Sequence, residues 1–86
     1  MKDQELLDHL ERLAEVFSIK VIQDQLWSRD GSCRLKGREY LIINRAIPSR
    51  EKVRLLARAL AGKPMEELYV LPQVRQAIER YGGRDA

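Results

Sequence analysis

The chain is poor in the residues that build disulfides, metal centres and aromatic platforms. It has one cysteine, Cys33, and one histidine, His9, with one Trp, one Phe and three Tyr among 86 residues. A lone cysteine excludes an internal disulfide, so we expect a reducing compartment, the cytoplasm. A zinc site would have to combine His9, Cys33 and carboxylates, so the sequence predicts neither a metal nor another cofactor.

Long apolar runs are also missing. No stretch of the length that a transmembrane helix needs is apolar throughout. The first residues, Met1 to Glu5, are acidic and helix-forming, whereas a signal peptide begins with a basic region followed by an apolar one. We therefore expect no membrane span and no signal peptide.

The composition is that of one small globular domain. Apolar residues make up 44% and charged residues 34% of the chain, a balance that favours folding over disorder. We expect a single domain over 1–81 and a frayed tail over 82–86, where glycine and polar residues end the chain. The net charge of +3 is lower than most dedicated nucleic-acid binders carry, so charge alone does not indicate such a partner.

Hydrophobic periodicity predicts a first helix over about 3–17. Its apolar residues recur at three- and four-residue spacing and form one stripe: Leu6, Leu7, Leu10, Leu13, Ala14 and Phe17. Asp3 is the expected N-cap.

Three strands are predicted next, over 19–22, 33–35 and 38–44. Between the first two, an extended segment is expected to run into a turn at Asp30-Gly31. Lys36-Gly37 has the length of a two-residue hairpin turn. The third strand has four successive apolar residues, so we expect it to be central and at least partly covered on both faces.

Two further helices follow. The first is expected over 49–62, with Ser49 as its cap and Gly62 at its C-terminal end. Met65 to Leu71 is expected to be a helical turn or loop. Pro72 then begins a last helix to about Tyr81, with one apolar face formed by Val74, Ala77, Ile78 and Tyr81. The order predicts an α+β domain, with helices covering one face of a small, three-stranded, mainly antiparallel sheet.

One part of this pattern resembles the ImmA/IrrE family of metallopeptidase-like proteins. The matching pieces span residues 6–62 and are Leu13-Ala14-Glu15, Ile19-Lys20-Val21, Tyr40-Leu41-Ile42-Ile43-Asn44, Ile47-Pro48 and the helix that contains Leu56-Ala57. The resemblance implies a strand that leads into a helix carrying a His-Glu-x-x-His zinc motif.

That motif is absent from this chain. In the register of the resemblance, the first metal ligand falls at Arg58, the catalytic glutamate at Ala59 and the second ligand at Gly62. A cation, a methyl group and a hydrogen atom can neither bind zinc nor accept a proton from a bound water. The resemblance therefore implies a degenerate scaffold that is kept for binding, and we expect no enzymatic activity.

Arginines suggest one candidate surface. Arg50, Arg54 and Arg58 recur every fourth residue, so they share one face of the second helix. Like charges at this spacing repel weakly. Two explanations for three arginines on one face are therefore open: an anionic partner, or a solvated face on which they pair with Glu51, Glu66 or Glu67. Arg34, Lys36 and Arg38 alternate along the hairpin and are expected to point the same way.

Aromatic and apolar residues suggest another. Trp27 lies in a polar stretch, where it either closes the core or anchors an interface. Tyr69 and Val70 lie in the segment before the last helix, where they either hold that helix down or form part of a dimer surface. Cys33 is expected to be a buried, inert thiol rather than a nucleophile, and His9 an exposed helix residue rather than a ligand.

Two functions remain open from the sequence. The first is a protein-binding or self-associating module that uses Trp27, Tyr69, Val70 and the Arg50, Arg54 and Arg58 stripe. The second is a nucleic-acid-associated protein whose basic surface is formed by Arg34, Lys36, Arg38, Arg50, Arg54 and Arg58. A hydrolase would need a nucleophile or metal set that these residues do not supply.

Overall fold

The computed structural model describes residues 1–24 and 31–82, with the backbone alone for 31–33. The elements are α1 (Asp3–Val16), β1 (Ile19–Asp24), β2 (Gly31–Leu35), β3 (Arg38–Asn44), α2 (Ser49–Leu60) and α3 (Pro72–Gly82). This confirms the α+β class and the predicted order of elements. The turn expected at Asp30, the placement of Trp27 and most of the tail, residues 83–86, lie outside the described residues.

The sheet has the order β1-β3-β2, with β3 in the centre as predicted. β2 pairs with β3 antiparallel, whereas β1 pairs with β3 parallel, from Ile19 beside Glu39 to Asp24 beside Asn44. The sheet is therefore mixed rather than mainly antiparallel. The reason is that β1 and β2 lie on opposite sides of β3 and do not pair with each other. The tight turn makes β2 and β3 antiparallel, and β3 runs in the same direction as β1.

The β2–β3 hairpin closes through Lys36 and Gly37, as the sequence predicts. Both residues have positive φ, 53° for Lys36 and 79° for Gly37. This is the pattern of a type I′ turn, whose twist matches that of the flanking strands. Glycine adopts this backbone without cost, whereas Lys36 holds a conformation that is unfavourable for a residue with a Cβ atom.

The core lies between the sheet and the helices. α2 packs against α1, α3 and β3, while α1 packs against β1. The predicted apolar stripe of α1 and the apolar face of α3 are confirmed: Leu7, Leu10 and Ala14 are buried on the first, and Val74, Ala77 and Ile78 on the second. Each large apolar side chain buried in this way contributes about 1.5–3 kcal/mol.

The helices cover one face of the sheet. Side chains alternate along β3, and Leu41 and Ile43 are fully buried under the helices. Tyr40 and Ile42, on the opposite face, are only half-buried and are not part of the core cluster. The sequence predicts that both faces of β3 are at least partly covered. In the described part of the chain, the helices cover one face of β3, and the apolar side chains on the other face are half-buried.

Helix ends differ slightly from expectation. The N-cap of α1 is Lys2, not Asp3, and the Lys2 N–H donates to the Glu5 carboxylate at 3.1 Å. The N-cap of α2 is Pro48, not Ser49, because Glu51 and Lys52 donate to the Pro48 carbonyl. α2 ends at Leu60, and Gly62 beyond it has a φ of 88°.

None of the helices described here has the length and apolar content needed to span a lipid bilayer.

Candidate protein-interaction site

The segment that precedes α3 places one aromatic side chain on the surface. Leu68 donates its N–H to the Met65 carbonyl at 3.0 Å, which closes a turn. Beyond this turn, Val70 points into the core and is only 7% exposed, whereas Tyr69 is 84% exposed. Pro72 then begins α3, where the Arg75 N–H donates to the Leu71 carbonyl. Burial of Val70 therefore fixes the backbone that presents Tyr69.

A face of α1 lies beside this tyrosine. His9, Arg12, Leu13 and Val16 are spaced three and four residues apart, so they share one side of the helix. Val16 is 60% exposed, although it is a β-branched apolar residue. It lies outside the buried stripe, because Leu10 and Ala14 are on the side of α1 that faces the core and Val16 is not.

Together these residues form an apolar groove of about 290 Å³ between α1 and the start of α3. We call it the tyrosine groove. Its lining residues are His9, Arg12, Leu13, Val16, Tyr69, Val70, Leu71 and Val74. Carbon atoms form most of its surface, and the Arg12 guanidinium supplies the only formal charge among these residues. A groove of this kind accepts an apolar side chain and leaves a cation at its rim.

The residues that the sequence grouped for partner binding do not all meet here. Tyr69 lies at the groove as a surface residue, but Val70 is buried and contributes to its floor. The reason is that the backbone alternates before α3, so adjacent side chains point in opposite directions. Trp27 lies outside the described residues, and the α2 arginines are not among the groove residues.

The arginine stripe on α2 is partly paired. Arg50 lies 3.8 Å from the Asp3 carboxylate, and Arg54 lies 3.0 Å from that of Glu51. The guanidinium groups of Arg54 and Arg80 also lie over the Tyr81 ring, at 5.9 and 5.8 Å from its centre. Among the described residues, Arg58 forms no ion pair. Most of the stripe thus resembles the solvated, paired face that the sequence left open as an alternative.

The hairpin arginines do not point the same way. The two-residue turn places Leu35 opposite Arg38 and Arg34 opposite Glu39, and residues directly opposite share a face of the sheet. Arg34 and Arg38 therefore lie on opposite faces. Glu39 accepts from Lys63 at 2.8 Å and lies 3.9 Å from Arg34, so two of the cations at this end share one acid.

The positions aligned with the zinc motif form no site. The side chain of Arg58 is exposed on α2, Ala59 is half-buried, and Gly62 lies beyond the end of the helix. Within residues 1–24 and 31–82, no three His, Cys, Asp or Glu side chains come together in a way that could hold a metal ion.

Comparisons of the chain with protein-family models, with curated proteins and with solved structures find no match. The resemblance to the metallopeptidase-like family accordingly stays a prediction.

Sequence reasoning found Tyr69 but missed the α1 wall of the groove. A signal was present: Val16 is an apolar residue outside the periodic stripe of α1, and such a residue must face away from the core. What the sequence could not show is that α3 brings Tyr69 to this side of α1, since that depends on how α1, α2 and α3 pack.

Proposed function

We propose that this chain is a non-catalytic protein-interaction module that binds a partner through the tyrosine groove. The observation that carries the proposal is the 84% exposure of Tyr69 beside an apolar groove. A tyrosine has large, rigid contact area and few rotatable bonds, which is why it is frequent among the residues that dominate binding energy. Exposed apolar side chains that adjoin one another usually mark an interaction surface.

The groove also limits the chemistry of the partner. A cavity of about 290 Å³ suits one or two aliphatic side chains rather than a whole small-molecule ligand. Arg12 lies on its rim, and an arginine there favours a carboxylate, which it can bind in a bidentate manner. We therefore expect an apolar anchor residue with an acidic neighbour on the partner.

Three variants test the proposal. Tyr69→Ser and Val16→Ser each remove an exposed apolar side chain from the groove. Leu35→Ser is a matched control, because Leu35 is 59% exposed, like Val16 at 60%, but lies on the hairpin. We expect the two groove variants to keep the thermal unfolding temperature of the unchanged chain. In affinity capture from host lysate, the amount of a defined protein partner that they retain should fall about fivefold or more.

The result should not depend on nuclease. Equal loss of the partner in Leu35→Ser and in the groove variants would contradict the proposal, since the contact would then be unspecific. Retention of the partner by Tyr69→Ser and Val16→Ser would contradict it as well.

The residue types at the positions of the zinc motif support the non-catalytic part of the proposal. On a metallopeptidase-like scaffold, Arg58 and Gly62 stand where metal ligands belong and Ala59 where a base belongs. We propose that the scaffold is a degenerate one, kept for binding, and that it acts in the cytoplasm. Hydrolysis of a fluorogenic peptide library by the purified chain, with and without added zinc, would contradict this.

A second candidate function is nucleic-acid association. It is favoured by the cations at the hairpin end of the sheet: Arg34 and Lys63 share a single acid, Glu39, and Lys36 and Arg38 follow in the turn and at the start of β3. Arg50 and Arg54, which are paired, and Arg58, which forms no ion pair within the described residues, would extend this surface along α2. Binding through phosphates weakens steeply with salt. Gel retardation at low salt that is lost in Lys36→Glu would favour this candidate, and no retardation would exclude it.

A further inference from the structure

We propose that the outer edge of β1 is a second binding site, which takes up an extended, basic peptide segment as an added β-strand. β1 is an edge strand, because the sheet order is β1-β3-β2. The edge site is separate from the tyrosine groove and does not depend on the function proposed for that groove. Uptake of a strand at a sheet edge is a recurrent mode of peptide recognition.

The register shows which backbone groups of β1 are available. The Arg45 N–H donates to the Asp24 carbonyl at 3.2 Å, so Asp24 directs its backbone groups toward β3. Because successive residues of a strand direct these groups to opposite sides, Ile19, Val21 and Gln23 direct theirs to the outer edge. The Gln23 carbonyl already accepts from the Arg45 guanidinium at 3.2 Å. Within the described residues, both backbone groups of Ile19 and Val21 and the N–H of Gln23 have no hydrogen-bond partner, so they can pair with an incoming strand.

Space for that strand exists along the edge. An open groove of about 520 Å³ follows β1 from Ser18 to Gln23, with α1 on one side. We call it the edge groove. No proline interrupts β1, and Lys20 is its only basic residue, so the edge has few of the features by which proteins block strand addition.

Charges at the edge groove define the partner. Glu11 and Glu15 line its helix side, and Lys20 and Arg38 line the other. The Gln23 side chain holds Glu11 in place. Its Nε2 donates to the Glu11 carboxylate at 3.1 Å, and its Oε1 accepts from Lys52 at 3.0 Å. Glu15 is exposed and forms no ion pair with any described residue.

An added strand would meet these charges in alternation. Its residues opposite Ile19, Val21 and Gln23 would point toward α1 and its two glutamates. Its residues opposite Lys20 and Ile22 would point to the open face of the sheet. The fitting segment therefore has basic side chains opposite Ile19 and Gln23, an acidic side chain opposite Lys20 and an apolar one opposite Ile22. An antiparallel direction is preferred, because its hydrogen bonds are the better aligned.

The test uses a capped synthetic peptide with the core Arg-Val-Thr-Glu-Arg and its charge-reversed counterpart, Glu-Val-Thr-Lys-Glu. In an NMR titration of the whole chain, we expect the first peptide to shift the amide signals of Ile19, Val21 and Gln23. The charge-reversed peptide should bind about tenfold more weakly, since three exposed charge pairs turn from attractive to repulsive. Equal binding of the two peptides would overturn the proposed partner chemistry.

Two protein variants separate backbone from side-chain effects. Val21→Pro removes an outward N–H, a change that an edge strand tolerates, and Val21→Ala is its control for the lost side chain. We expect Val21→Pro to abolish binding and Val21→Ala to keep it within about threefold. Should Val21→Pro not fold, Glu15→Arg gives an independent answer: it reverses one of the three charge pairs, so the tenfold preference for the first peptide should fall to about twofold. Unchanged preference in Glu15→Arg would overturn the proposal.

Self-association is the competing use of this edge. Sedimentation of the chain alone would detect it. A dimer that Val21→Ala keeps and Val21→Pro dissociates would overturn the peptide as occupant and put a second copy of the chain in its place. Binding of the peptide that is unchanged by Tyr69→Ser would show that the two sites are independent.

Discussion

The tyrosine groove and the edge groove share α1 as a wall, but the interactions proposed for them differ. α1 forms a wall of both: Leu13 and Val16 line the first, and Glu11 and Glu15 line the second. The binding proposed for the tyrosine groove uses apolar side chains, whose contribution depends on the area removed from water. The binding proposed for the edge groove uses backbone N–H and C=O groups, with charges that select the sequence. A variant can therefore affect one site and spare the other.

The largest effect is expected where both sites share their support. Leu10 lies on the core side of α1 and is fully buried. Leu10→Ala leaves a cavity, so the free energy of unfolding should fall by about 2–5 kcal/mol. Both grooves should lose binding, because both use α1 as a wall. Urea unfolding, together with peptide and partner binding, measures this; loss at one groove alone would show that α1 is not their common support.

A smaller effect should distinguish the two grooves through α3. A Cβ atom on Gly82 would lie 2.5 Å from the Ala61 Cβ atom and 2.9 Å from the Ala57 carbonyl oxygen. Gly82→Ala should therefore push α3 from α2 and lower the free energy of unfolding by about 1–3 kcal/mol. Partner binding at the tyrosine groove should weaken, while the edge groove, which α3 does not line, should keep its peptide.

The double variant Gly82→Ala with Ala61→Gly is the control for that prediction. It removes the nearest methyl group and should restore part of the lost stability in thermal unfolding. No recovery at all would show that the contact with the Ala57 carbonyl, rather than the side-chain contact, limits the approach of the two helices.

The reverse selectivity is expected for Gln23. Its side chain connects Glu11 of α1 with Lys52 of α2. Gln23→Ala removes both hydrogen bonds, which should lower the free energy of unfolding by about 1 kcal/mol. Glu11 would no longer be held at the edge groove, so peptide binding should weaken there. The tyrosine groove should be unaffected, and an equal loss at both sites would contradict the comparison.

The smallest effect is expected at the Lys36-Gly37 turn, since neither residue is among those that line the two grooves. Lys36 has a φ of 53°, a conformation that asparagine adopts more readily. Lys36→Asn should raise the free energy of unfolding by about 0.5 kcal/mol and change binding at neither site. A loss of stability in thermal unfolding would show that contacts of the Lys36 side chain stabilise the fold by more than its backbone conformation costs.

Local features of the fold could be predicted from the sequence, whereas the pairing of distant segments could not. The strand from Arg38 to Asn44 and the Lys36-Gly37 turn follow from a run of apolar residues and from turn chemistry, which act between neighbours in the chain. The parallel pairing of β1 with β3 joins residues about twenty positions apart, such as Ile19 and Glu39. Nothing in either strand distinguishes that arrangement from an antiparallel meander, because the pleat has the same period in both.

The same limit applies to the candidate sites. The sequence leaves two roles open for Tyr69 and Val70, holding α3 down or forming part of a dimer surface, and the structure divides them: Val70 is in the core and Tyr69 is on the surface. Helix periodicity identified the core side of α1, whereas the exposure of Val16 on the other side was not predicted. The edge groove needed the register of β1 against β3, since only the register shows which backbone groups face outward.

The most direct test of the central claim is photo-cross-linking from Tyr69. A benzophenone amino acid replaces Tyr69 in one version of the chain and Leu35 in another, and both are irradiated in host cells before capture and nuclease treatment. The tyrosine groove predicts a defined protein adduct from Tyr69 that is absent from Leu35 and unaffected by nuclease. The same adducts from both positions, or no protein adduct from Tyr69, would contradict a protein partner at this groove.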